Sequence, residues 1–156
     1  MGFRVAIGPS SFAGEDETPL RMLEAAGCEV VGNPFGRRLT EEEIIEHLKG
    51  IDGLIAGLEP LNAKVIGSAG GKLKAIARVG IGVANVDFEA AEAHGVRVSN
   101  TPDGPVNAVA EMTLTALLAI CRGLIPTNEA LHNKEWAKSI GKGLIGAQVL
   151  LVGYGR

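Results

Sequence analysis

Two stretches carry residue types and spacings suited to anion chemistry. Arg78-Val79-Gly80-Ile81-Gly82 follows an apolar run, and closely spaced glycines at a strand's carboxyl end let successive backbone N–H groups point at an anion. Arg78 adds a planar guanidinium able to pair with a carboxylate or phosphate. The same residues also read as a tight strand-to-helix turn beside a half-buried, ion-paired arginine. Val149-Leu150-Leu151-Val152-Gly153-Tyr154-Gly155-Arg156 has the form of a strand entering a G-x-G turn, where glycine lets the backbone bend sharply and approach a pyrophosphate. Only two glycines of the fuller pattern are present, so a bare strand-to-turn reading stands beside that one.

Other polar residues are less specific. Asn100-Thr101-Pro102 ends a strand, and its Asn serves either a ligand or an ordinary loop. Glu111 and Thr113 fall in an apolar helix, where a structural hydrogen bond is the default. His47, His94 and His132 sit on helix ends or polar faces with no Ser, Cys or Asp arranged for a triad, and surface positions are expected for all three. The loop Gly8-Pro9-Ser10-Ser11-Phe12-Ala13-Gly14 loses one N–H donor to Pro9 and lacks an aromatic pair to sandwich a flavin. Cys28 and Cys121 have no metal-ligand spacing and read as small buried apolar residues, so no metal is expected.

The elements that must position these residues follow from patterning. Apolar, β-branched runs at Phe3–Ile7, Glu29–Gly32, Gly53–Ala56, Ala75–Val79, Val96–Val98 and Gln148–Val152 alternate with helical segments at Pro19–Ala26, Glu41–Lys49, Ala63–Ser68, Phe88–His94, Pro105–Arg122 and Pro126–Lys138. This alternation predicts an α/β fold with right-handed crossovers and a parallel sheet covered on both faces. Thr40 followed by three glutamates predicts a capped helix start. Asp87 caps the segment from Phe88, Gly95 stops it, and Pro105 suits a first helical position. The long helix is apolar nearly all round and must be covered on several sides. Gln148–Val152, apolar on both faces, predicts a central parallel strand. The boundaries expected are a first domain over 1–100 and a second over 101–156.

Composition narrows the function classes. The 156 residues suit one domain, or one with part of a second. With 46% apolar and 21% charged residues, a real core is expected and wholesale disorder is excluded. A net charge of −3 and no basic run argue against nucleic acid, and 4% aromatics leave little for base stacking. The N-terminus lacks the apolar region of a secretory signal, and Val106 to Ile125 carries Asn107, Glu111 and Arg122, so a cytoplasmic protein with no membrane span is expected.

Taken in order, Leu73 to Gly82, Asn85-Val86-Asp87, Gly95-Val96, Asn100-Thr101-Pro102, Val109 to Thr113, Trp136 and Gly146 to Gly155 resemble the D-isomer-specific 2-hydroxyacid dehydrogenases, most closely the branch acting on 3-phosphoglycerate. The resemblance spans essentially the whole chain. It implies a flavodoxin-like substrate domain followed by the opening helices and first strand of an NAD-binding Rossmann domain, with NAD as cofactor and a small 2-hydroxy or 2-keto acid as substrate. It implies that Arg78, Val79, Gly80 and Asn100 serve the substrate. Thr113, Gly153, Gly155 and Arg156 would serve the cofactor, and the Pro105–Arg122 helix would pack across a homodimer two-fold. The family's Arg, Glu and His for hydride transfer lie downstream of the glycine loop. The resemblance therefore implies the N-terminal piece of such an enzyme, with no catalytic residue of its own and no activity alone.

Three positions depart from the family pattern. Ala84 stands where an Asp is usual, Gly57-Leu58-Glu59-Pro60 replaces an Arg that contacts phosphate in many phosphoglycerate enzymes, and Pro105 replaces an Asn. The reaction class carries over, but phosphoglycerate as the substrate does not follow from it. Two alternatives remain open: a non-catalytic module of the same fold that binds a small acid or dimerises, and a flavodoxin-like electron carrier. An unpartnered strand also implies that residues from about Leu124 onward are disordered, borrowed by another copy, or folded back on the first domain.

Overall fold

The computed structural model describes residues 2–155 as two compact units, the first ending at Gly104 and the second starting at Pro105. In the first, five short strands alternate with four helices: β1 (Arg4–Ile7), α1 (Thr18–Ala25), β2 (Glu29–Val31), α2 (Glu41–His47), β3 (Gly53–Ala56), α3 (Ala63–Ser68), β4 (Ala75–Arg78), α4 (Phe88–Ala93) and β5 (Arg97–Asn100). The sheet is wholly parallel with order β2-β1-β3-β4-β5, the flavodoxin-like arrangement. Its order reverses between β1 and β3, and ligands of such sheets bind outside the strands' carboxyl ends near that point.

Local chemistry starts the helices where the sequence indicates. Thr40 and Glu43 form a reciprocal capping box, with Thr40 N donating to Glu43 Oε2 at 2.8 Å and Glu43 N to Thr40 Oγ1 at 3.4 Å. Asp87 accepts from Ala90 N at 2.9 Å. The chain leaves α4 through Gly95 at φ +67°, where a Cβ would be strained.

The sheet is sealed on one face and only half covered on the other. Helices α2, α3 and α4 pack side by side, and Leu54, Ala56 and Ile76 meet Ile44, Leu48, Val65 and Ile66 beneath them. Along β3 and β4 the alternate residues are half-buried, and α1 packs against β2 without burying any residue of its own. Coverage of both faces is thus not complete within this unit, because one helix of eight residues cannot span five strands. Each fully buried Leu or Ile contributes roughly 1.5–3 kcal/mol, so the α2–α4 face holds the unit together.

The second unit holds α5 (Val106–Arg122) and α6 (Leu124–His132), bent by 64° about Gly123 at φ +61°. Pro105 occupies the N-cap position, one residue outside the helix it was expected to begin. No residue of α5 or α6 is buried, so the cover expected for α5 is not supplied within its own unit. Leu124–His132 is helical. The helix expected over Pro126–Lys138 starts two residues earlier, because Pro126 in the first turn has no intrahelical N–H to lose. It stops at Asn133, where Lys134 takes φ +61°. Residues 139–142 return to the end of α5: Lys142 N donates to the Cys121 carbonyl at 2.7 Å, and a Cβ on Gly141 would lie 2.6 Å from that oxygen.

Gln148–Val152 is not a strand. Its side chains face solvent, with Leu150 88% and Val152 93% exposed, because no strand among the described residues pairs with it and a β-segment gains its stability from neighbours. Cys28 and Cys121 are half-buried rather than buried. Among the described residues no single helix is long and apolar enough to cross a membrane, although the bent α5–α6 pair meets that test by length and composition.

Candidate functional site

At the carboxyl ends of β1, β3 and β4 the chain leaves the sheet in three turns that surround a cavity of about 350 Å³. Gly8 through Ser11 follow β1, Gly57 through Glu59 follow β3, and Arg78 with Val79 end β4, while Arg38 reaches the cavity from the loop before α2. The site exists because the strands stop together: Gly8 N bonds the Ile55 carbonyl at 2.9 Å and Val79 N the Ala56 carbonyl at 2.8 Å.

Arg78 is 9% exposed. Its side chain folds back under the next turn, where Nη1 donates to the Val79 carbonyl. Its Nε is buried with no hydrogen-bond partner, and a buried unpaired donor is costly enough that each instance calls for an explanation. Gly80 has φ +129°, and a Cβ there would overlap the Arg78 guanidinium. Glycine is therefore required at position 80 by both backbone and space.

The backbone amide of Gly80, one of those expected to face an anion, already donates to Thr101 Oγ1 at 2.7 Å, and Thr101 N donates back to the Gly80 carbonyl at 3.2 Å. Asn100, beside Arg78 in the strand register, donates from Nδ2 to the Ile81 carbonyl at 2.9 Å. Asn100 at the end of β5 and Thr101 just after it thus hold the Gly80 turn in place. Arg78 and Val79 line the cavity directly.

Glu59, the acid in the stretch that replaces the family's phosphate-contacting Arg, was not named as a site residue but lies in the cavity lining. Its side chain is 1% exposed, and Oε1 accepts from Gly57 N at 2.9 Å. A Cβ on Gly8 would overlap that carboxylate oxygen, so glycine at position 8 makes room for it. Asn85 clamps the same turn, with Nδ2 donating to the carbonyls of Glu59 at 2.8 Å and Gly57 at 3.2 Å. The one available signal was a lone acid in an otherwise apolar turn after a buried strand.

The histidines do not enter the cavity. His94 and His132 are exposed and contact carbonyls of their own helices at 2.9 Å. His47 differs from the surface position expected: it is half-buried, with Nε2 3.1 Å from the carbonyl of Ile7 at the end of β1. No cluster of metal-ligating side chains occurs among the described residues.

The remaining expected residues belong to the second unit. Thr113 is exposed and donates to the Val109 carbonyl at 2.7 Å, one turn back in α5. Glu111 is exposed rather than held in a buried helix. Gly153 has φ +94°, a conformation that favours glycine, and nothing lies within 4 Å of a Cβ built on Gly153 or Gly155. Arg156 lies outside the described residues.

Residues 12–147 match the family model described as D-isomer specific 2-hydroxyacid dehydrogenase, catalytic domain. A D-3-phosphoglycerate dehydrogenase of Methanocaldococcus jannaschii is 34% identical over 142 residues, covering 90% of this chain and 26% of that protein. A glyoxylate reductase of Thermococcus onnurineus is 33% identical over 128 residues, covering 76% of this chain and 38% of that protein. Among solved structures, an NAD+-bound 3-phosphoglycerate dehydrogenase from Entamoeba histolytica superposes with TM-score 0.72 at 26% identity, over 92% of this chain and 44% of that one. The chain thus spans about a quarter to two-fifths of the length of these curated relatives.

Proposed function

Since the chain belongs to the D-isomer-specific 2-hydroxyacid dehydrogenase family, we propose that it contributes the substrate-binding unit of an NAD-dependent oxidoreductase that moves a hydride between NAD and C2 of a D-2-hydroxy acid. The observation carrying this reading is Arg78: a guanidinium nine-tenths buried, its Nε unpartnered, lining the cavity at the sheet's carboxyl edge. A carboxylate is the complementary group, and a charge-assisted hydrogen bond to it would satisfy that orphan donor. Asn100 and Thr101 act by fixing the Gly80 turn over which the acid lies. Glycine backbones at 153 and 155 leave room for a pyrophosphate to approach, Gly153 supplying a left-handed turn. Bound NAD would accept or return the hydride, with Arg156 and Thr113 as further contacts.

No histidine lines the cavity, and the resemblance to the family puts the proton-exchanging group of hydride transfer on a histidine. This favours, for the 156 residues alone, acid binding without turnover. The test uses the purified chain. D-glycerate should shift the backbone NMR signals of Val79 and Gly80, Arg78→Ala should weaken binding at least about tenfold, the loss of one charge-assisted bond, and no NADH should form with any 2-hydroxy acid. Binding unaffected by Arg78→Ala, or turnover by the chain alone, would overturn the reading.

The chain forms a homodimer through α5 in this proposal. Val109, Met112, Leu114, Leu118 and Ile120 of that helix are between 47% and 78% exposed, too much apolar surface on one helix for water. Sedimentation of wild type and Met112→Glu checks it: a monomer in both refutes the dimer.

A further inference from the structure

Two groups of opposite charge line one cavity: Arg78, whose buried Nε has no hydrogen-bond partner, and the Glu59 carboxylate, held through Oε1 by Gly57 N. We propose that Glu59 sets substrate specificity, admitting 2-hydroxy or 2-oxo acids whose far end is a hydrogen-bond donor, a hydroxyl or ammonium, and excluding those that end in a phosphate or a second carboxylate. This deepens the substrate reading above and rests on it.

A carboxylate only accepts hydrogen bonds, so whatever meets Oε2 must donate. At 1% exposure Glu59 is little screened by water, and an anionic group brought against it meets a like charge in a poorly solvated place. The turn cannot easily move the charge aside. Oε1 is held by Gly57 N, Asn85 clamps the carbonyls on either side, and Gly8 and Gly57 lack the side chains that would displace it. Of the two cations on the cavity, Arg78 is committed to the substrate carboxylate. Arg38 is exposed, where water and salt weaken its pull on a phosphate. The cavity therefore suits an acid that is negative at one end and a donor at the other.

D-glycerate and 3-phospho-D-glycerate form the matched pair for the test, since they differ only in whether the far hydroxyl is free or phosphorylated. Each is titrated into the wild-type chain and into Glu59→Gln, following the amide signals of Gly57 and Val79. The amide of Gln keeps an acceptor for Gly57 N while removing the charge and placing an N–H donor where Oε2 stood. Wild type should bind glycerate at least about tenfold more tightly than phosphoglycerate, and Glu59→Gln should shrink that ratio to about threefold or less. Equal or tighter binding of phosphoglycerate by wild type overturns the proposal while leaving the substrate site standing. An unchanged ratio in a folded Glu59→Gln also overturns it, reducing Glu59 to a clamp on Gly57. If that variant does not fold, the wild-type ratio decides alone. Absence of any shift with either acid overturns the substrate reading and this proposal together.

Discussion

Replacing Gly8 with Ala tests whether the Glu59 carboxylate is as tightly seated as the geometry indicates. The new methyl would overlap Oε1, so the carboxylate must swing away. That breaks its 2.9 Å bond from Gly57 N in a site only 1% exposed. A buried hydrogen bond to a charged group is worth about 1.5–3 kcal/mol, and forcing one extra carbon into a packed site adds about 1–3 kcal/mol. A destabilisation of about 3 kcal/mol is expected, which lowers Tm by about 15 °C in a domain of this size. Thermal and urea unfolding followed by circular dichroism measure it. The decisive comparison is a double-mutant cycle with Glu59→Ala: once the carboxylate is gone, Gly8→Ala should cost less than about 1 kcal/mol. Equal cost in both backgrounds would refute the idea that Gly8 exists to accommodate Glu59.

Acid should act through the α2 cap. Arg37 holds the Glu43 carboxylate with bonds of 2.6 and 2.9 Å, and together with Thr40 N it lowers that group from 4.5 to about 2. A carboxyl depressed in the folded state stabilises above its ordinary value and ceases to do so as pH falls toward the folded one. The stability difference between wild type and Glu43→Gln should accordingly shrink between about pH 5 and pH 2, and denaturant titrations across that window in which the gap stays constant would count against it. In the core, Leu54→Ala removes a side chain 1% exposed between the sheet and α2–α4, and a loss of about 2–5 kcal/mol is expected from urea midpoints; a loss under about 1 kcal/mol would mean that this face is not the chain's main core.

The sequence by itself determined what depends on near neighbours. Thr40 with Glu43 and Asp87 with Ala90 N are contacts between residues three apart, and the five strands of the first unit announced themselves as apolar runs bounded by turn residues. Their parallel order followed from the helix between each pair. The glycine at 80 was legible for the same reason, since its φ is a property of its own backbone. Composition misled where an apolar run has no partner: Gln148–Val152 has the side chains of a central strand, but hydrogen bonds along its edges must come from elsewhere in space, and the described residues offer none.

Tertiary structure decided what surrounds Arg78 and Val79 in the site. Glu59 becomes a buried carboxylate because Gly8, fifty-one residues earlier, leaves space for it, and because Asn85 closes the turn from twenty-six residues later. Thr101 takes the Gly80 amide across twenty-one positions, and His47 reaches Ile7 across forty. No local pattern encodes such pairs, because the fold that brings them together is set by burial of Leu54, Ile76 and their neighbours rather than by the polar residues themselves.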